Sequence, residues 1–190
     1  TGYTLNADAN IAEVVKTGGG ADTITIAAPA VSTNAFSLST GAKGDTVTYS
    51  ATAAAFSWDG GTGTDTLVLA HDAVLPTTAS LTSVERITVT GDTNRYTAAT
   101  PAGGKDASLN ASWLTGKSFI IDQATNDIDI FITMDQTTLD LSGLAFSTAA
   151  KTANDAFIID ASGVGLPTTI TGSSIFDQVI GSAAVDTITG

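Results

Sequence analysis

GGTGTDTLVL, residues 60–69, places small and flexible residues ahead of one aspartate, Asp65, and follows it at once with a β-branched and aliphatic run. Glycine permits the positive φ angles of a tight turn, and the run after the aspartate has the residue types of a β-strand. The stretch therefore predicts a turn that leads directly into a strand. Asp65 either caps this turn or holds a cation.

The aspartate–threonine phrase recurs along the chain. Four copies are present: ADTITI at 21–26, GDTVTY at 44–49, TDTLVL at 64–69 and VDTITG at 185–190. The first three aspartates, Asp22, Asp45 and Asp65, are separated by 23 and 20 residues. This spacing is that of one coil of a parallel β-solenoid, in which equivalent positions stack on one another.

Towards the C-terminus the repeat shortens to nine residues. The glycines that mark it are Gly163, Gly172, Gly181 and Gly190. The eighth position of the first three repeats is aliphatic, and the sixth holds Thr168, Asp177 and Asp186. Nine residues supply one turn and one short strand, so the solenoid is expected to continue here with smaller units.

Composition agrees with this fold class. Hydrophobic residues make up 43% of the 190-residue chain, and threonine, serine, glycine and alanine predominate over lysine and glutamate. We predict an all-β, mostly parallel, right-handed β-solenoid with irregular loops and at most one short helix. It spans residues 1–190 as a single elongated segment of a longer repeat protein, with an excursion at 95–116. Within that excursion, residues 108–114 are predicted to form the short helix, capped by Ser108 or Asp106.

Charge and cysteine content exclude several classes of function. The chain has 19 acidic residues against 7 basic ones and a net charge of −12, so nucleic acid and anionic lipid should be repelled. It has no cysteine, which excludes disulfides and thiolate metal sites. The apolar runs are shorter than a membrane span requires, so no membrane insertion is expected.

The glycine-rich turns resemble the RTX nonapeptide G-G-x-G-x-D-x-U-x, in which U is a large aliphatic residue. Residues 60–68 match all five defined positions, through Gly60, Gly61, Gly63, Asp65 and Leu67. Residues 17–25 match four of them, through Gly18, Gly20, Asp22 and Ile24. Residues 40–48 keep Gly41, Asp45 and Val47 but carry Gly44 one position late.

LTSVERITVTG, at 81–91, carries a second resemblance. It is similar to strands that recur after RTX-like turns in large secreted bacterial surface proteins, including calcium-dependent S-layer proteins and type I secreted adhesins. From the residues alone, the stretch predicts a strand that ends at Gly91, with Ile87 and Val89 on one side.

The resemblance implies calcium as the cofactor. Calcium prefers carboxylate and carbonyl oxygens, and glycines let a turn present its carbonyl groups. The candidate metal residues are Asp22, Asp45, Asp65, Gly18, Gly20, Gly61, Gly63, Asp177 and Asp186. The alternative is that each aspartate caps its own turn and needs no metal. A full site would draw on turns from two neighbouring coils.

The resemblance also implies a structural, non-enzymatic module of the extracellular bacterial surface, exported by a type I route. Its expected partners are other copies of itself in an S-layer-like array and a cell-surface glycan. One alternative is a segment of a large adhesin that binds a glycan or a surface. The other is a β-helical polysaccharide-processing enzyme.

Five residues bear on these alternatives. Asp127 and Asp129 would share one face of a strand, where a carboxylate pair serves acid–base catalysis or, more often, forms a solvated side. His71 has no obvious partner and is expected in a loop or at the rim. Trp58 and Trp113 would form either carbohydrate platforms or packing at the edge of a thin core, and packing is the favoured interpretation.

Overall fold

The computed structural model describes residues 2–6, 13–27, 32–50, 53–91, 106–125, 128–147 and 155–190. In chain order the elements are β1 (Gly2–Asn6), β2 (Glu13–Lys16), β3 (Thr23–Ala27), β4 (Ser32–Ser39), β5 (Thr46–Tyr49), β6 (Ala53–Asp59), β7 (Thr66–Leu69), β8 (Ala73–Val74), β9 (Ser80–Thr82), β10 (Arg86–Thr90), β11 (Ala107–Asn110), α1 (Ala111–Leu114), β12 (Ile120–Thr125), β13 (Asp129–Thr133), β14 (Thr138–Asp140), β15 (Ala145–Phe146), β16 (Ala156–Asp160), β17 (Thr169–Thr171), β18 (Phe176–Ile180) and β19 (Thr187–Thr189).

The strands form four parallel sheets. A seven-stranded sheet, which we call the long sheet, has the order β1-β3-β5-β7-β10-β12-β15. A four-stranded sheet has the order β2-β4-β6-β9, a five-stranded sheet β18-β16-β13-β11-β8, and a three-stranded sheet β14-β17-β19. The chain is thus an all-β solenoid of about six turns with almost no helix, which confirms the predicted fold class.

The number of sheets per coil changes along the chain. Up to β7 the chain alternates between the four-stranded and the long sheet. From β12 to β17 it visits the long, five-stranded and three-stranded sheets in turn. The single-turn helix α1 follows β11 and contacts β14. It occupies the position in its coil that strand β14 occupies in the next coil.

The predicted helix was wrong in its start and its cap. Ser108 lies in β11, which pairs with β8 and β13, so residues 107–110 belong to a sheet. The N-cap of α1 is Asn110, which makes no side-chain cap hydrogen bond. The backbone of 107–110 is satisfied by strand pairing, so the chain can turn into a helix only afterwards. The part of the expected excursion at 95–105 lies outside the described residues.

The core is built from columns of aliphatic side chains stacked one coil above another. Ile24, Val47, Leu67, Ile87 and Ile121 are in register across the long sheet and are all buried. They alternate with outward-facing residues, as expected for strands with one face in the core. The prediction for 81–91 holds, because β10 ends immediately before Gly91.

Candidate metal site

The glycine-rich turns stack directly on each other. Gly18, Gly41 and Gly61 have φ angles of 106°, 95° and 90°, which favour glycine. The amide of Ala42 donates to the carbonyl of Gly18 at 3.1 Å, and that of Thr62 donates to the carbonyl of Gly41 at 2.8 Å. These two carbonyl oxygens therefore join neighbouring turns.

A side chain would prevent this stacking. A Cβ atom on Gly41 would lie 2.0 Å from the carbonyl oxygen of Gly18, and one on Gly61 would lie 1.9 Å from that of Gly41. Gly63 has a φ of 147°, and a Cβ atom added to it would lie 2.4 Å from the backbone carbonyl of Lys43. Gly20 is less constrained, since its nearest neighbour would be Asp22 Oδ1 at 3.5 Å. Two of the four glycines predicted for the site, Gly61 and Gly63, are thus required by turn packing, whereas a Cβ on Gly18 would meet nothing within 4 Å.

Beside the glycines runs a ladder that we call the acid column: Asp22, Asp45, Asp65 and Glu85. The amide of Asp22 donates to Asp45 Oδ1 at 2.7 Å, and that of Asp45 donates to Asp65 Oδ1 at 2.8 Å. The amide of Asp65 donates to Glu85 Oε2 at 2.9 Å. The carboxylates of Asp45, Asp65 and Glu85 thus each satisfy a backbone donor of the preceding coil, which explains why an acidic residue recurs at the start of the strand.

Glu85 is the member of the acid column that the sequence analysis missed. It stands 20 residues after Asp65, the same interval that separates Asp65 from Asp45. Its phrase is ERI instead of DTL, so a search for aspartate–threonine pairs passes over it. Counting by coil length, rather than by residue identity, would have found it.

The acid column is buried, and part of its hydrogen-bonding capacity is unused. Asp45 and Asp65 have relative exposures of 1% and 0%, and their Oδ2 atoms are buried without a hydrogen-bond partner. Burial raises the pKa of the Asp65 carboxyl; the amide of Asp45 opposes this, and the charges of Asp45 and Glu85 add to it. An ionised carboxylate here needs a counter-charge, because burying an unpaired charge is costly.

The donor chemistry at this position fits a hard cation. Asp45 Oδ2 and Asp65 Oδ2 come from consecutive coils, and carboxylate oxygens are preferred calcium ligands. Within the part of the chain that the structure describes, no group of three or more histidine, cysteine, aspartate or glutamate side chains is arranged to hold a metal. A cation bound by the two Oδ2 atoms would therefore need backbone oxygens or water to complete its coordination.

Asp177 and Asp186 have the geometry of turn caps. Asp177 accepts hydrogen bonds from the amide and hydroxyl of Ser173 at 2.8 and 3.0 Å. Asp186 accepts the same pair from Ser182, at 2.8 and 2.6 Å, and also the amide of Thr168 at 2.9 Å. All four carboxylate oxygens are engaged within the protein, which corresponds to the capping alternative.

The pKa values of the two capping carboxyls are shifted in opposite directions. The Ser182 hydroxyl lowers the pKa of Asp186 to about 2, helped by Thr168. Burial raises the pKa of Asp177, against the hydrogen bonds from Ser173. The stabilising contribution of Asp186 is therefore present above its unfolded pKa and is lost as the pH falls through about 2.

A second group of buried carboxylates lies at the starts of strands β11, β13 and β16 of the five-stranded sheet. Asp106, Asp129 and Asp155 have relative exposures of 1%, 3% and 1%. The amide of Asp129 donates to Asp106 Oδ2 at 2.7 Å, and that of Ile128 donates to Asp155 Oδ1 at 2.8 Å. The solvated face predicted for Asp129 is wrong, since the residue itself is buried. Asp127 lies outside the described residues.

His71 extends this group to the surface. Its Nδ1 atom lies 3.2 Å from Asp106 Oδ1 and its Nε2 atom 3.4 Å from Asp72 Oδ2. The expectation that His71 has no partner is therefore wrong. The residue does lie in an exposed turn after β7, as predicted.

The tryptophans pack into the protein. Trp58 is 1% exposed, and its Nε1–H donates to Thr40 Oγ1 at 3.1 Å. Trp113 is 7% exposed and stacks on Phe119 with ring centroids 5.2 Å apart. The packing interpretation is confirmed for both. Trp113 and Phe119 also line a groove of about 280 Å³ between β9 and α1.

Comparison with protein-family models, curated proteins and solved structures finds no match to this chain. Among the described residues, no helix is long and apolar enough to cross a membrane.

Proposed function

We propose that this chain is a structural, non-enzymatic β-solenoid module whose turns are rigidified by calcium. The observation that carries the proposal is the acid column, with the buried and unpartnered Oδ2 atoms of Asp45 and Asp65. A solenoid needs no catalytic centre to be useful, since stacked coils form an extended body in which each coil is supported by its neighbours.

The acid column connects neighbouring coils by hydrogen bonds, and it also places like charges close together. The carboxylates of Asp45, Asp65 and Glu85 each accept a backbone amide from the preceding coil, so they hold the turns in register. Three of its members are buried aspartates on consecutive coils. Burial raises the pKa of the Asp65 carboxyl, and the like charges of Asp45 and Glu85 add to this increase. A divalent cation at Asp45 and Asp65 removes this repulsion without disturbing the hydrogen bonds made by the Oδ1 atoms.

The setting that best suits such a module is the bacterial cell surface. Calcium is plentiful outside the cell, the chain has no cysteine, and its RTX-like turns resemble those of type I secreted S-layer proteins. In this proposal the partners are other copies in a surface array and a surface glycan. Regular sheets or filaments in electron micrographs of calcium-loaded protein would support the array, and dispersed single particles would count against it.

Thermal unfolding tests the calcium proposal. Calcium should raise the melting temperature of the whole chain relative to chelator. The added free energy of unfolding should grow with calcium concentration and reach about 2.7 kcal/mol at a hundred times Kd. Magnesium should act more weakly, because it loses its water shell reluctantly. An unchanged melting temperature in calcium would contradict the proposal.

A variant locates the effect. Asp65→Asn keeps an oxygen that can accept the amide of Asp45 and removes the charge, so it should melt no lower than the parent in chelator and lose the response to calcium. Asp140→Asn is the matched control, because Asp140 caps Ser142 in a solvent-exposed turn. It should keep the full calcium response. An undiminished response in Asp65→Asn would place calcium elsewhere.

A further inference from the structure

The outward side of the long sheet carries two columns of threonine. In each column, residues on β3, β5 and β7 lie opposite one another, because these strands pair without a register shift. The first column is Thr23, Thr46 and Thr66; the second is Thr25, Thr48, Val68 and Thr88. We call the six threonines the threonine face.

The threonine face is a regular grid. Parallel strands lie about 4.8 Å apart, and outward residues two positions apart on one strand are separated by about 6.7 Å. The alternate residues Ile24, Val47 and Leu67 are fully buried, which fixes the backbone beneath the grid. A hydroxyl and a methyl group therefore repeat in two dimensions on a rigid support, except at Val68, which has no hydroxyl.

Among the described residues, the hydroxyl groups of this face make no hydrogen bond within the protein. The six threonines pair with neighbouring strands through their backbone groups alone. Other hydroxyls on the solenoid do make hydrogen bonds: Ser50 donates to the carbonyl of Ile26 at 3.1 Å, and Ser57 to that of Phe36 at 3.4 Å. The threonine hydroxyls thus remain available to groups outside the protein.

The face is also neutral, on a chain with a net charge of −12. The first charges in its columns are Arg86 and Asp122, which pair with each other at 2.7 Å and close the grid on that side. A neutral surface is matched by a neutral partner. The described part of the face has no aromatic ring, and a sugar polymer usually requires one for stacking.

We propose that the threonine face binds ice. Ice is a neutral partner that presents oxygen atoms in a two-dimensional repeat, and it needs neither a pocket nor an aromatic platform. Threonine methyl groups would hold water in ordered positions while the hydroxyls bond into the same layer. The proposal depends on the fold alone, so it stands or falls separately from calcium binding.

The three-stranded sheet has a similar sequence pattern but a different surface. Its columns are Thr138, Thr169 and Thr187, and Asp140, Thr171 and Thr189. Asp140 brings in a charge, and the Thr189 hydroxyl is engaged by the carbonyl of Ile170 at 3.5 Å and by Thr171 Oγ1 at 3.4 Å. This sheet therefore lacks the uniform, unengaged hydroxyls of the threonine face.

Inhibition of ice recrystallisation by the whole chain tests the proposal. The parent protein should keep ice crystals small, and Thr48→Lys and Thr25→Lys should lose the effect, because a long charged side chain breaks the flat grid. The matched control is Ser37→Lys, which places the same side chain at an exposed position of the four-stranded sheet. It should behave as the parent does.

Circular dichroism and melting temperature establish that each variant is folded before it is compared. The proposal is overturned if the folded parent leaves ice growth unchanged, or if Thr48→Lys and Thr25→Lys remain as active as Ser37→Lys. Binding to microcrystalline cellulose that is lost in Thr48→Lys, without any effect on ice, would also overturn it and assign the face to a polysaccharide. A melting temperature that ignores calcium would refute only the metal proposal.

Discussion

At the scale of single residues, the stacking of glycine on glycine has a measurable cost when it is broken. Gly61→Ala places a Cβ atom 1.9 Å from the carbonyl of Gly41 at a φ of 90°, so the turn must move. We expect a loss of about 2 kcal/mol or more in the free energy of unfolding, measured by urea denaturation.

Gly163→Ala is the control for this substitution. Gly163 has no neighbour within 4 Å of the added Cβ, so the change should be close to neutral or slightly stabilising. If the two variants unfold at the same urea concentration, the turn at Gly61 is not held by stacking.

Sequence reasoning at this scale identified the positions that matter but not their partners. The recurrence of Asp22, Asp45 and Asp65 fixed one position on the coil, because solenoid coils place equivalent residues over each other. Which oxygen each carboxylate leaves unpaired depends on rotamers and on the next coil. The serine caps of Asp177 and Asp186 depend on contacts four residues back within a turn, which a nine-residue count does not reveal.

At the scale of secondary-structure elements, the position of α1 predicts a local weakness. Strands β5, β7 and β10 pair with a strand on each side, whereas β9 pairs with β6 on one side only among the described strands. Its other side faces the groove beside α1. Amide protons of β9 should therefore exchange faster than those of β10, because local opening there breaks fewer contacts.

Hydrogen–deuterium exchange read by mass spectrometry checks this expectation. The neighbouring strand β10 serves as an internal reference, since it follows β9 closely in the chain and has partners on both sides. Equal protection of β9 and β10 would show that α1 closes the sheet as well as a strand does.

The same region shows where element prediction from sequence ends. The strand after Asp65 and the strand ending at Gly91 could be predicted, because alternation and turn residues act locally. The change from two sheets per coil to three could not, since it depends on which earlier strand each new strand pairs with. Residues 108–110 were predicted as the start of a helix, yet pairing with β8 and β13 makes them part of a strand.

At the scale of the whole molecule, Asp65 makes stability depend on pH in a direction opposite to that of a carboxylate whose folded pKa is lowered. The folded pKa of Asp65 is raised, chiefly by burial, whereas in the unfolded chain it returns to about 4. Above that pH the unfolded chain releases a proton that the folded chain retains. Asp65 therefore lowers the stability of the metal-free protein as the pH rises from about 4 through the raised folded value.

Calcium should reverse this trend, because it binds the ionised carboxylates and competes with the retained proton. The melting temperature in chelator is expected to fall between pH 4 and pH 8, and the increase caused by calcium should be largest at the upper end. Asp65→Asn should flatten both dependences, while Asp140→Asn should leave them as they are. An equal calcium effect at pH 4 and pH 8 would mean that the cation binds away from the acid column. Calcium binding at the column should depend on pH, because it requires ionised carboxylates.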